Sequence, residues 1–219
     1  MSDDPYAYPG TTVLRNKLGL RDAGALDRAE RALVVVRIQE GVPTGRFDLI
    51  HLRAIHRHLF QDVYDWAGEV RIVEIRKGGT QFMARRFIAT GMADVHGRLA
   101  RAGFLRGLDR APFAREAGRI VGDVIHVHPF REGTGRTQAL WLKQLAEGAG
   151  HPLDLTRIGR EAWIAGSVAA HAGACGGMAE AIRGRCIRLR CEAVRWKRTQ
   201  PRYRSGRCDV SLPSAAWAA

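Results

Sequence analysis

Residues 128–136 read His128-Pro129-Phe130-Arg131-Glu132-Gly133-Thr134-Gly135-Arg136, and they stand directly before an apolar helical pattern formed by Leu140, Leu142 and Leu145. The two glycines allow a backbone to approach a ligand closely. Amides at a helix start attract anions, because the helix dipole is positive there. Arg136 adds a planar fork of donors that matches phosphate oxygens. The stretch therefore predicts a phosphate-binding loop that opens a helix.

Three other side chains of this loop have different predicted tasks. His128, with an unperturbed pKa of about 6.5, could accept the proton of an attacking hydroxyl. Glu132 is a hard oxygen ligand beside the expected anion, and Mg²⁺ prefers one or two carboxylates together with substrate phosphates. Phe130 is expected to point into the core and anchor the loop. The composition therefore favours a nucleotide site with its metal and a base.

The loop resembles the motif of Fic-domain proteins, His-x-Phe-x-(Asp/Glu)-Gly-Asn-Gly-Arg-x-x-Arg. The matching positions are His128, Phe130, Glu132, Gly133, Gly135 and Arg136. Segments 6–11, 55–69 and 75–79 are also similar to the bacterial Fic toxin branch, so the likeness covers about residues 6–182. It implies a mainly α fold, a Fic-type helical bundle with a short β-hairpin flap.

The resemblance also implies a protein adenylyltransferase (AMPylator), which uses ATP and Mg²⁺. His128 would be the catalytic residue and Glu132 the metal ligand. The implied nucleotide contacts are Phe130, Glu132, Gly133, Thr134, Gly135 and Arg136. The implied target-docking flap residues are Ile75, Lys77, Gly78, Gly79 and Thr80. Glycine at 135 favours AMP transfer over the phosphotransfer of the Doc branch, which has lysine there.

Control by a separate protein is a further implication of the toxin branch. Self-inhibited Fic proteins carry a Ser/Thr-x-x-x-Glu-Gly/Asn helix, and Glu40-Gly41 fails this pattern because Val36 stands four residues before the glutamate. The resemblance then implies a small antitoxin acting in trans. It also implies type II topoisomerase subunits as targets.

Two positions depart from the family pattern: Thr134 replaces asparagine, and Ala139 replaces the second arginine. Threonine cannot offer an amide NH₂ group, and alanine offers no donor. Losing charge-assisted hydrogen bonds of about 1.5–3 kcal/mol each would slow transfer by roughly tenfold to several hundredfold. Ala139 also removes the arginine with which the antitoxin's glutamate normally pairs in the family. The alternative hypothesis is therefore an impaired module that binds nucleotide or a protein partner.

Hydrophobic periodicity predicts the remaining elements. Asp22 and Asp48 are expected to cap two helices, the first with a buried stripe of Leu26, Ala29, Leu33 and Val36. Further helical stripes are Leu49 to Leu59, Ile88 to Leu99 and Phe113 to Val124, and shorter helices follow near Trp163 and after Gly176. Alternation of Val70 and Ile72 with Arg71 and Val73 predicts the hairpin. The patterns indicate one domain over 1–182, with the flap at about 70–82 and the motif loop at 128–136.

Composition limits the class of protein. The chain has 219 residues, 46% hydrophobic and 26% charged, which is typical of one soluble domain. No apolar run is long enough to cross a membrane, and the N-terminus lacks the basic start of a signal peptide, so the expected location is cytoplasmic. The cysteines, expected as free thiols, are Cys175, Cys186, Cys191 and Cys208.

The net charge of +13 is concentrated at the end, since residues 183–207 hold ten Lys or Arg and one acid, Glu192. A basic tail over 183–219 suits a nucleic acid or an acidic partner. The favoured interpretation is a solvated, partly disordered end. A third interpretation is that a shifted reading frame in the gene produced this segment.

Overall fold

A computed structural model describes residues 4–77, 80–155, 160–171, 173–184 and 186. Within these ranges the chain forms seven α-helices: α1 (Ala23–Gln39), α2 (Leu49–Phe60), α3 (Ile88–Arg101), α4 (Arg110–Val127), α5 (Thr134–Gly148), α6 (Arg160–His171) and α7 (Gly176–Arg183). One antiparallel hairpin, β1 (Arg76–Lys77) with β2 (Thr80–Gln81), lies between α2 and α3. The predicted mainly α architecture with a short hairpin is confirmed.

The first two helices begin at the predicted aspartates. Oδ1 of Asp22 accepts from the Ala25 N–H at 2.7 Å, and Oδ1 of Asp48 accepts from the His51 N–H at 2.9 Å. The predicted stripe of α1 is correct at Leu26, which is buried, and wrong at Val36, which is 50% exposed. The residues that α1 buries are Leu26, Glu30 and Val34. The helix is therefore turned so that a carboxylate, rather than a valine, faces the interior.

Helix α4 lies at the centre of the core and packs against α3, α5, α6 and α7. Close approach to α7 requires Gly118, since a Cβ there would stand 3.0 Å from the backbone nitrogen of Ala179. The predicted stripes of α3, α4 and α5 are confirmed as buried: Ile88, Met92, Val95, Leu99, Phe113, Ala117, Ile120, Val124, Leu140, Leu142 and Leu145. These helices carry the motif loop, which joins α4 to α5.

The hairpin is shorter than the segment 70–82. Arg76 pairs with Gln81 and Lys77 with Thr80, so the strands occupy only two residues each. The predicted alternation before them is wrong: Ile72 is 60% exposed, whereas Arg71 is buried. The cause is that the Arg71 guanidinium finds acceptors inside the fold, and these compensate the loss of water. Gly78 and Gly79 of the predicted flap lie outside the described residues.

The last described segments complete the core. Trp163 lies on α6, as predicted, and is buried, but Ile164 and Val168 of the same helix are 48% and 58% exposed. Cys186 forms a β-bridge with Leu153, so the packed chain continues beyond residue 182. Cys175 and Cys186 are free thiols, as predicted.

Several sequence predictions fall outside the described residues. They concern Cys191, Cys208 and, apart from 183, 184 and 186, the basic tail with its proposed nucleic-acid binding. Among the described helices, none is long and apolar enough to cross a membrane.

Candidate active site

The motif loop begins and ends in the left-handed region of backbone conformation. His128 is the C-cap of α4 with φ of 44°, and Gly133 is the N-cap of α5 with φ of 72°. Glycine adopts this conformation readily, but histidine does so only where its surroundings hold it. These two left-handed residues bracket a short loop, so His128 lies close in sequence to the first turn of α5.

The imidazole of His128 lies against the hairpin segment. Its ring stacks on Phe82 with centroids 3.8 Å apart and planes inclined by 15°. Burial first, and then the charges of Arg71 and Lys77, lower the pKa of His128 to about 3, and the Ile125 backbone opposes them. The ring is therefore neutral at physiological pH, which is the state that a general base needs.

Glu132 presents a carboxylate at the mouth of the loop. Its side chain is 48% exposed, and Oε1 accepts a hydrogen bond of 2.9 Å from the Gly133 N–H. The donor set fits Mg²⁺, which takes one or two carboxylates and completes its shell with substrate phosphate and water. The Gly133 amide is thus used by Glu132, whereas the sequence argument assigned it to the nucleotide.

Gly133 is required for a steric reason that the sequence argument did not contain. A Cβ at this position would lie 2.3 Å from Cζ of Phe60, far inside the van der Waals limit. The loop therefore rests directly on the Phe60 ring of α2. Any side chain at 133 would have to push the loop away from that helix.

The start of α5 offers backbone donors. The first helical hydrogen bond of its ladder runs from Thr137 N–H to Gly133 O at 3.1 Å, so the amides of Thr134, Gly135 and Arg136 precede the ladder. Gly135 is exposed, so a phosphate group can reach these donors. These donors lie where the sequence predicts an anion cradle, and phosphate binding there stays a prediction.

The side chain of Thr134 does not serve the predicted nucleotide site. It is 2% exposed, and its hydroxyl donates to the Phe130 carbonyl at 3.1 Å. Ala139, at the position of the second family arginine, is 1% exposed. The backbone amide of Thr134, and not its hydroxyl, is therefore the group that is placed to contact a phosphate.

Arg136 is held in place by a glutamate that the sequence argument missed. Its guanidinium donates to Oε1 of Glu30 and lies 4.9 Å from the centroid of the Phe60 ring. Oε2 of Glu30 accepts from the Tyr64 hydroxyl, and burial together with the Glu30 charge raises the pKa of that tyrosine. The sequence does carry a signal for the burial of Glu30: it lies four residues from both Leu26 and Val34, and therefore on the buried face of α1.

Phe130 anchors the loop instead of contacting a nucleotide. Its ring is fully buried, as the residues themselves predict, and stacks on the His56 imidazole at 4.0 Å, away from the nucleotide contact that the family resemblance implies. Nδ1 of His56 accepts from the Gly68 N–H at 2.8 Å, so Nε2 is the protonated nitrogen and donates to the Glu132 carbonyl at 3.0 Å. Burial lowers the pKa of His56 to about 4. His56 is therefore a structural residue that connects α2 to the motif loop.

The flap stands beside this loop. Lys77 is exposed on β1, and the Ile75 carbonyl accepts from the Phe82 N–H at 3.3 Å. Phe82 in turn covers His128. A cavity of about 510 Å³ opens next to this ring, and Met83, Phe87 and His126 are among its lining residues.

Comparison with known proteins agrees with this geometry. The profile of the Fic/DOC family matches residues 46–146. Protein adenylyltransferase VbhT of Bartonella schoenbuchensis is 40% identical over 185 residues, which cover 83% of this chain and 39% of VbhT. The y4lH protein of Sinorhizobium fredii, named a probable protein adenylyltransferase, is 36% identical over 182 residues, covering 83% of this chain and 95% of y4lH.

A solved structure also resembles this chain over most of its length. The crystal structure of BepC from Bartonella tribocorum, a VirB-translocated effector with bound AMPPNP, has a TM-score of 0.77 at 27% identity. The match covers 82% of this chain and 94% of the BepC chain. With its helical bundle, its hairpin and its motif loop, the chain belongs to the Fic/DOC family.

Proposed function

We propose that this chain is a protein adenylyltransferase, which transfers AMP from ATP to a hydroxyl side chain of a target protein. The observation that carries the proposal is the motif loop, where a neutral, largely buried His128 and the open amides of α5 are separated by only a few residues. The names of VbhT and y4lH support the same activity. Glycine at 135, in place of the lysine of the Doc branch, favours AMP transfer over phosphotransfer.

ATP would bind with its phosphates over the amides of Thr134, Gly135 and Arg136 and against the Arg136 guanidinium. Glu30 fixes that guanidinium, so less side-chain entropy is lost when the phosphates arrive. Glu132 is the residue that would hold Mg²⁺. When bound, the ion would neutralise phosphate charge and favour departure of pyrophosphate.

The transfer step is an in-line displacement at the α-phosphorus. The target hydroxyl oxygen forms the new bond to phosphorus, and the bond to the bridging oxygen of pyrophosphate breaks. The hydroxyl proton passes to Nε2 of His128, because Nδ1 is buried. Phosphate charge near the ring would raise the pKa of His128 toward the range in which a base is effective.

The target segment would lie along the edge of the hairpin. Strand addition to β1 or β2 would set its hydroxyl beside the motif loop, and the proposed docking residues remain Ile75, Lys77, Gly78, Gly79 and Thr80. An apolar side chain flanking the hydroxyl would fit the cavity next to Phe82. We further propose type II topoisomerase subunits as targets and a small antitoxin in trans, supported by likeness to the toxin branch.

Two observations favour the second candidate, an impaired module that binds nucleotide or a protein partner. The Thr134 hydroxyl is occupied by the Phe130 carbonyl, and Ala139 is buried. Neither side chain can hold a phosphate oxygen or a metal-bound water. The expected consequence is transfer that is roughly tenfold to several hundredfold slower than with the full motif.

The test is label transfer in a bacterial lysate with Mg²⁺, with ATP labelled at the α-phosphate in one reaction and at the γ-phosphate in another. AMP transfer predicts a protein band from α-labelled ATP that is lost in His128→Ala and retained in His58→Ala, a matched variant of a histidine on α2 whose ring bonds to the Arg37 carbonyl. A band from γ-labelled ATP alone would refute AMP transfer. If neither label moves, ATP binding is measured for the purified protein with and without the Thr134→Asn and Ala139→Arg changes. Binding of ATP by the unchanged protein would then support the impaired module.

A further inference from the structure

The buried arginine below the hairpin has a place in the site that the motif does not describe. The side chain of Arg71 is 0% exposed. Its Nε donates to the His128 carbonyl at 2.8 Å, and one terminal nitrogen donates to the Val73 carbonyl at 2.6 Å. The other terminal nitrogen donates to the Met83 carbonyl. Its backbone N–H donates to the Pro129 carbonyl at 2.9 Å.

These bonds act on the backbone of the motif histidine. His128 has φ of 44°, a conformation that a residue with a Cβ keeps only when its neighbours over-determine it. The carbonyl of His128 and the carbonyl of Pro129 define the two peptide planes that follow this turn, and residue 71 holds both. The direction of the His128 imidazole is therefore set from outside the motif loop.

The same guanidinium also holds the base of the flap. Val73 precedes β1 and Met83 follows β2, so the two acceptors lie on opposite sides of the hairpin. Phe82, the residue before Met83, stacks on the imidazole. One side chain thus connects the base of the flap to the carbonyl of the histidine that the flap covers.

We infer that Arg71 is a positioning residue for the transfer reaction: it keeps His128 in its left-handed conformation and holds the flap in register with the imidazole. The inference rests on the proposed function for its catalytic meaning, although the geometry is independent of it. A displacement of about 1 Å at a reacting group can slow a reaction by about a hundredfold. Lysine cannot replace this arginine, because one ammonium cannot reach three carbonyls in the directions of a planar fork.

The main test compares Arg71→Lys with Arg85→Lys, since Arg85 also lies near the hairpin base but has an exposed side chain. We expect Arg71→Lys to lower kcat for AMP transfer by about a hundredfold. Its affinity for ATP, measured by calorimetry, should stay within about twofold, because Arg71 makes none of its hydrogen bonds with α5. Arg85→Lys should match the unchanged protein in both. Equal losses of kcat and ATP affinity would mean general structural support and would overturn the inference, as would an unchanged kcat.

A second readout needs no activity. Modification of His128 by diethyl pyrocarbonate, located by mass spectrometry, should become severalfold faster in Arg71→Lys, because the ring is no longer held under Phe82. If the unchanged chain transfers no AMP and this acceleration is still seen, the proposed function fails and the positioning role stands. Unchanged reactivity would refute the role.

The unchanged protein provides a measurement that does not depend on folding of a variant. Hydrogen exchange at Nε–H of Arg71, followed by nitrogen-15 NMR, should be slower than that of Arg85 by roughly a hundredfold or more, because a buried bond must open first. Equal exchange rates would show that the bond to the His128 carbonyl does not persist, and the inference would fall.

Discussion

Protonation of His56 should destabilise this protein at mildly acidic pH. The imidazole bridges the Gly68 N–H and the Glu132 carbonyl and stacks on Phe130, so it connects α2 to the motif loop. A proton on Nδ1 would place an N–H group against another N–H group and bury a charge. The experiment therefore lowers the pH from 8 to 5 for the unchanged protein and for the His56→Gln variant.

The magnitude follows from linkage. Burial lowers the pKa of His56 from 6.5 to about 4 in the folded state, so protons bind more tightly to the unfolded chain. Stability is then fully present above the unfolded pKa and is lost as the pH falls from there toward the folded pKa. The full loss is about 3 kcal/mol, and about 2 kcal/mol of it is expected by pH 5.

The assay is urea unfolding followed by tryptophan fluorescence at pH 8, 7, 6 and 5. Glutamine keeps a donor and an acceptor but does not titrate, so His56→Gln should be less stable at pH 8 and lose about 2 kcal/mol less on acidification. His128 titrates in both proteins and cancels in the comparison. His58→Gln, on the same helix but bonded to the Arg37 carbonyl, is the matched control. Parallel stability curves for the unchanged protein and His56→Gln would refute the reasoning.

Three further predictions concern the loop and its supports. Gly133→Ala should cost about 3 kcal/mol of unfolding free energy by thermal denaturation, because its Cβ would meet the Phe60 ring at 2.3 Å and its φ is 72°. Gly10→Ala has a similar φ of 73° but open space around its Cβ, so it should cost about 1 kcal/mol. Equal losses would contradict the steric argument. Glu132→Gln should remove the gain in ATP affinity that Mg²⁺ gives, which we expect to be about tenfold or more when calorimetry is done with and without the ion. An unchanged effect of Mg²⁺ on ATP affinity would exclude Glu132 as the metal ligand. Glu30→Gln should cost about 2 kcal/mol in urea unfolding, because it removes the nearest carboxylate partner of the partly buried Arg136 guanidinium. Tyr64→Phe should cost only about 1 kcal/mol, and the reverse order would exclude the ion pair as the main support.

Much of the fold could be predicted because it depends on local rules. Asp22 and Asp48 cap helices through bonds to residues three positions away, which the sequence displays directly. The stripes of α3 and α4 were correct because each contains only apolar residues at helical spacing, and burial of such a stripe is favourable whatever the partner. The prediction for α1 failed at Val36 because a polar partner elsewhere, Arg136, determines which face of that helix turns inward.

The candidate site was predictable only in part. His128, Glu132 and Gly135 could be proposed because the motif loop is continuous in sequence. The contributions of Glu30, His56 and Arg71 could not, since each acts on the loop from a distant segment of the chain. A charged or titratable side chain is normally expected at the surface, and only a complete set of partners makes its burial tolerable.

The sequence by itself determined the order of the helices, the position of the hairpin and the loop that carries the chemistry, because caps, periodicity and glycine spacing are properties of neighbouring residues. The tertiary structure alone decided which polar groups became buried supports of that loop. It also decided that Thr134 turns its hydroxyl away from the anion cradle and that Phe60 excludes any side chain at residue 133. Each of these outcomes depends on atoms brought together by folding, and their desolvation and hydrogen bonding are balanced only in the assembled core.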